Sequence, residues 1–79
     1  MDEKLREKII EIIANHAGMN KEEIAPEADL VRDLNIQRID IPEIVMILEQ
    51  ELQIKLHQDS FEEIRTVEDL ITLVSDPLL

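Results

Sequence analysis

The chain of 79 residues has no cysteine, no tryptophan and no tyrosine, and only one glycine and one phenylalanine. Without cysteine there is no disulfide framework, no thiolate metal site and no cysteine nucleophile. A chain of this size buries only about 60–65% of the surface its unfolded form exposes, so apolar packing alone must hold it together. A single glycine leaves no glycine-rich phosphate loop. Basic residues are scarce: eight Lys and Arg stand against 19 Asp and Glu, a formal charge of −11. Nucleic-acid backbones bind by releasing counterions to Lys and Arg, so this field has the wrong sign for them. Anionic membranes are disfavoured for the same reason. No run approaches the roughly 18 apolar residues needed to span a bilayer. The opening Met1, Asp2, Glu3 and Lys4 lack the basic region and apolar run of a secretory signal, so a cytoplasmic protein is expected.

What is present is apolar bulk. Hydrophobic residues make up 44% of the chain, far above the signature of disorder despite the high net charge. The length fits one domain over residues 1–79. Leu5, Ile9, Ile12, Ile13 and Ala17 fall on one stripe at helical spacing, with Asp2 placed to cap the start and Gly18 to close the end. That predicts a first helix over roughly residues 3–17. From Met19 to Gln37 the periodicity breaks. Asn20 with Glu23 reads as a capping box on a single turn, and Pro26 prevents a longer helix. Ile24, Leu30, Leu34 and Ile36 are spaced as pins that hold an ordered loop to a core. Ile41, Ile44, Val45, Leu48 and Leu52 make a second helical stripe, ending near residue 52. Ser60 and Glu63 read as a capping box on a short turn or helix through Ile64. Thr66 opens a last helix with Val67, Leu70, Ile71 and Val74 on one face, and Pro77 ends it. The expected fold is all-α: three main helices and one short helix, with a long loop between the first two.

Catalytic chemistry is not visible in these residues. His16 lies late in the first helix, where an imidazolium interacts favourably with the C-terminal dipole, and His57 lies in a polar stretch. Neither stands at motif spacing from a serine or a carboxylate, so both read as surface or capping residues. Ser60 and Thr66 are assigned to helix caps, which leaves Thr72 and Ser75. The acid pairs Glu22–Glu23, Glu62–Glu63 and Glu68–Asp69 do not converge on one point as neighbours on a helix, and no Asp-rich loop with a central glycine exists. No metal site is expected. A binding module that is not an enzyme is the better class.

The charge is unevenly placed. Residues 1–39 carry nine acids and six bases, a net of −3, whereas residues 40–79 carry ten acids and two bases, a net of −8. Asp40, Glu43, Glu49 and Glu51 lie on or beside the second helix. Such a field keeps a small protein monomeric and steers it towards basic partners.

Ala28-Asp29-Leu30-Val31-Arg32-Asp33-Leu34, followed by Glu43-Ile44-Val45-Met46-Ile47-Leu48-Glu49, resembles the acyl carrier proteins of fatty-acid and polyketide synthesis. The resemblance runs essentially end to end: Ile9-Ile10, Gly18, Lys21-Glu22-Glu23-Ile24 and Ile64-Arg65-Thr66-Val67 fall in register without a gap. It implies the acyl-carrier four-helix bundle. It also implies an Asp-Ser-Leu motif at the start of helix 2, whose serine accepts phosphopantetheine. In register that motif reads Gln37-Arg38-Ile39, and the family's preceding glycine is Asn35. A guanidinium has five donors and no usable lone pair, so Arg38 cannot form the phosphodiester, and no phosphopantetheine is expected. Pro42 sits where the family's second helix is already under way and permits a start only near Asp40 or Ile41, with Asp40 and Glu43 at capping-box spacing. Arg38 has Asp33 and Asp40 as candidate ion-pair partners, or has none and reflects drift.

The resemblance further implies a partner-docking face on helix 2, here Asp40, Glu43, Met46 and Glu49, meeting a basic patch on an acyl-chain-processing enzyme or complex. The family's valine-like contact position is Pro42. The leading expectation is a carrier-like module without its attachment serine that acts by protein contact. The alternatives are a carrier modified at an unorthodox residue, with Asp59-Ser60-Phe61-Glu62 as a weak imitation of the motif, and a bundle that binds a lipid non-covalently in its interior.

Overall fold

A computed structural model describes residues 3–56 and 63–75. Helix α1 covers Glu3–Ala17, as its apolar stripe predicts, and buries Ile9, Ile12, Ile13 and Ala14. Gly18 ends it in the left-handed region at φ 72°. The Met19 amide then donates to the Ala14 carbonyl at 2.9 Å, which completes a Schellman closure. Asp2, expected to cap the other end, lies outside the described residues. So do His57, Ser60 and Pro77, together with the start of the short helix expected before Ile64.

The connection after α1 is ordered by hydrogen bonds and apolar pins. A 3₁₀ turn covers Lys21–Glu23, and Glu23 Oε1 accepts from the Asn20 amide at 2.9 Å, one half of the expected capping box. Ile24, Leu30, Leu34 and Ile36 are all buried. Asp29 organises the middle of the loop. Its Oδ1 accepts from the amides of Val31 and Arg32, both at 2.9 Å, and its carbonyl accepts from Asp33 at 2.9 Å and Leu34 at 3.2 Å. Its own amide donates to Asp33 Oδ2 at 2.7 Å. Residues 26–30 are also stitched to the segment before the last helix. Leu30 donates to the Arg65 carbonyl at 2.8 Å, Val67 to Ala28 at 3.0 Å and Glu68 to Pro26 at 2.8 Å. These bonds include an isolated antiparallel bridge between Asp29 and Thr66. They satisfy backbone groups that a long loop would otherwise leave open.

A second 3₁₀ turn, Arg38–Asp40, leads into α2, Ile41–Leu52. Pro42 falls in the first turn, where its missing amide hydrogen costs nothing. The helix closes at Gln53, left-handed at φ 54°, with the Ile54 amide donating to the Glu49 carbonyl at 3.1 Å. Helix α3 covers Val67–Ser75. Its capping box is formed by Thr66, whose Oγ1 accepts from the Asp69 amide at 3.1 Å, and by Asp69 Oδ2, which accepts from Thr66 at 3.0 Å and Arg65 at 2.9 Å.

Helix α1 packs against both α2 and α3. Their apolar stripes and the loop pins form one core, with Ile9, Ile13, Leu30, Ile41, Ile44, Leu48, Val67, Leu70 and Ile71 essentially fully enclosed. The fold is all-α, and among the described residues no strand forms.

Candidate functional site

The start of α2 is positioned from both sides. Upstream, buried Leu34 and Ile36 anchor the loop. Asn35 between them takes φ 61°, a conformation that glycine or asparagine adopts most readily. Ile36 then donates to the Leu30 carbonyl at 2.9 Å. Downstream, Ile41, Ile44, Val45 and Leu48 drive the inner face of α2 into the core. Residues 37–39 are held on the outside, all three exposed.

Arg38 reaches a partner that the sequence does not suggest. Its Nη1 donates to the Ile64 carbonyl at 3.1 Å, across a separation of 26 residues. The two acids named as candidate partners are engaged elsewhere, Asp33 Oδ2 with the Asp29 amide and Asp40 Oδ2 3.9 Å from His16 Nε2. The capping box expected of Asp40 and Glu43 is not formed. Asp40 does stand at the N-cap, but no side-chain cap bond is made, and its backbone is helical at φ −86°, ψ −11° because it belongs to the preceding 3₁₀ turn. A capping side chain needs an extended backbone to reach over the first turn. Asp40 faces α1 instead, and His16 is half-buried there.

The acids of α2 are not equivalent. Glu49 is half-buried, and its Oε2 accepts from the Leu56 amide at 2.8 Å. Glu51 lies 3.7 Å from Lys8 of α1. Glu43 is exposed, and no bond or ion pair to a described residue engages it. Ile39 is 78% exposed and Met46 54% exposed. With Pro42 and Glu43, also exposed, they stand at positions i, i+7, i+3 and i+4, the spacing of a single helical face. The outer surface at the start of α2 is thus an apolar ridge beside one unengaged carboxylate.

Ile39 was named in the sequence only as a flank of Arg38, yet it is the most exposed large apolar side chain among the described residues. The signal was its place one step off the Ile36–Ile41 core pattern. Asp29 stands in the sequence reading only within the stretch that carries the resemblance, with no role of its own. Amide donation from Arg32 holds its carboxyl below the ordinary range, with smaller contributions from the Val31 amide and from the charges of Arg32 and Arg65. Asp followed by Asp four residues on, before a buried Leu, is the available sequence sign of such a turn.

Other placements are unremarkable. Thr66 is occupied as a cap, Ser75 Oγ donates to the Thr72 carbonyl at 3.4 Å, and Thr72 is exposed. Among the described residues no group of His, Asp or Glu converges as metal ligands would, and no helix is long and apolar enough to cross a membrane. A groove of about 380 Å³ runs between α1 and α2, floored by Ile12 and Ile47 and walled by Lys8, His16 and Glu51.

The family model described as a phosphopantetheine attachment site matches residues 7–74. An acyl carrier protein of Syntrophobacter fumaroxidans is 44% identical over 63 residues, 80% of this chain and 78% of the relative. Acyl carrier proteins from two strains of Nitratidesulfovibrio vulgaris are each 35% identical over 72 residues, 91% of this chain and 95% of theirs.

Proposed function

The chain belongs to the acyl carrier protein family, and from that premise we propose that it is a member without phosphopantetheine that works by docking in acyl-chain metabolism. Arg38 carries this reading. The resemblance puts the attachment serine at that position, and a guanidinium offers five N–H donors and no nucleophilic lone pair. The residues present do not fit the group: Arg38 cannot accept it, and the flanking Gln37 and Ile39 supply neither a hydroxyl nor an acid.

What remains is the outer face of α2. Of the expected docking residues, Glu43 and Met46 stand on that face, while Asp40 turns towards His16 of α1 and Glu49 holds the Leu56 amide at its edges. Together they form the proposed docking surface, opposite a basic patch on an acyl-chain-processing enzyme or complex, with the chain acting as a monomer in the cytoplasm. Glu43 supports this reading best. An exposed carboxylate with no internal engagement is open for steering and pairing with a partner cation. Exposed Ile39 and Met46 beside it supply apolar area, and methionine adapts readily to a partner surface.

Native mass spectrometry of the full chain drawn from cells tests the proposal. The expected species is the unmodified chain bound to a protein. A covalent adduct would overturn it in favour of a carrier loaded at an unorthodox residue such as Ser60. A releasable fatty acid on the unbound chain would overturn it in favour of a lipid-binding bundle.

A further inference from the structure

At residue 38 the family resemblance puts a point of attachment, and the side chain there instead bridges two parts of the fold. Arg38 Nη1 donates to the Ile64 carbonyl at 3.1 Å. One end of this bridge is the 3₁₀ turn that opens α2. The other is the segment that caps α3 and carries the stitches to the loop, through the Arg65 carbonyl and the Val67 and Glu68 amides. On either side lie core residues, Ile36 and Ile41 next to Arg38, and Ile64 and Val67 at the far end, all buried. The bridge therefore crosses a seam between two pieces of backbone, each pinned to the core by its own buried side chains.

We propose that Arg38 is a latch that holds this seam shut. A cationic donor on a backbone carbonyl is stronger than a neutral hydrogen bond, and a planar guanidinium loses less freedom in making it than an ammonium does. Serine at the same position has too short a side chain to span the gap. The position has exchanged a chemical role for a conformational one, and restoring the family's serine loosens the protein. Local opening of this kind lies well below global unfolding in free energy, because only a few backbone bonds and one edge of the core are released.

Hydrogen exchange on the full-length protein tests the latch, using the Leu30, Val67 and Glu68 amides as reporters of the seam and the Ile13 amide, deep in α1, as the reference. In Arg38→Ser and Arg38→Ala the three seam amides should exchange about 3- to 10-fold faster, with Ile13 unchanged and circular dichroism retained. Arg38→Lys, which keeps a cationic donor of similar reach, should restore most of the protection. Unchanged seam amides in Arg38→Ser would overturn the latch, and so would equal acceleration of Ile13 and the seam. Neither docking nor modification enters this measurement, so its outcome is independent of the proposed function.

Discussion

Glu49 Oε2 accepts a hydrogen bond from the Leu56 amide at 2.8 Å, so one acid of the outer face of α2 also fastens the chain that leaves the helix. Glu43, a turn and a half earlier, has no such task. The two acids should therefore separate under mutation. Glu43→Lys should reduce binding to a basic partner at least tenfold while leaving the melting temperature within about 2 °C, because exposed substitutions cost at most a few tenths of a kcal/mol. Glu49→Lys should lower both binding and stability, whereas Glu49→Gln, which keeps an acceptor, should largely spare stability. Calorimetric titration and thermal melts on the same samples check this. Retained affinity in Glu43→Lys would count against the docking face.

Asp29 sets an acid-sensitive element in the loop. Its carboxyl is held below its ordinary value in the folded protein, chiefly by the Arg32 amide. A group depressed in this way stabilises the fold above its unfolded value of about 3.9 and loses that contribution as pH falls through the lower folded value. Asp29→Asn keeps an oxygen acceptor but not the charge. The gap in melting temperature between wild type and Asp29→Asn should be fully open at pH 6 and close as pH drops below about 4. A gap that stays constant down to about pH 3 would contradict the assignment.

Gly18→Ala isolates a backbone cost. The glycine sits at φ +72° and a Cβ there would meet nothing within 4 Å, so the penalty comes from the left-handed conformation alone. We expect a loss of about 1 kcal/mol, or roughly 4–8 °C in a domain of this size. No change in melting temperature would mean that the end of α1 relaxes to another closure.

Ile44 lies on the inner face of α2 at 0% exposure. Truncation to alanine should cost about 2–5 kcal/mol, measured by denaturant unfolding. Met46→Ala, two residues on but exposed, should cost under about 0.5 kcal/mol. Similar losses at both positions would mean that the orientation of α2 is wrong.

Helices α1 and α2 were legible because each has a stripe and a boundary residue: Ile9, Ile12 and Ile13 with Gly18 at the end, and Ile41, Ile44, Val45 and Leu48 with Pro42 fixing the start. The loop pins were legible for the same reason, since Leu30, Leu34 and Ile36 have no other use in a polar segment. The stitches between residues 26–30 and 65–68 were not, because backbone bonds between distant segments leave no mark on residue type. The Asp40–Glu43 spacing misled because it takes no account of the backbone angle at Asp40, which the preceding 3₁₀ turn holds helical. At the candidate site, residue identity supplied the chemical argument against attachment at Arg38, a guanidinium with no nucleophilic lone pair. It could not identify the Ile64 carbonyl, because any of the chain's carbonyls is an equally good acceptor.

The proposed function requires that this acyl carrier family member does not take phosphopantetheine. The most direct test is incubation of the purified chain with coenzyme A and a broadly specific phosphopantetheinyl transferase, with a serine-bearing acyl carrier protein treated in parallel. Intact-mass spectrometry should show the control shifted by one phosphopantetheine and this chain unchanged. A gain of that mass on any residue of this chain would overturn the proposed function.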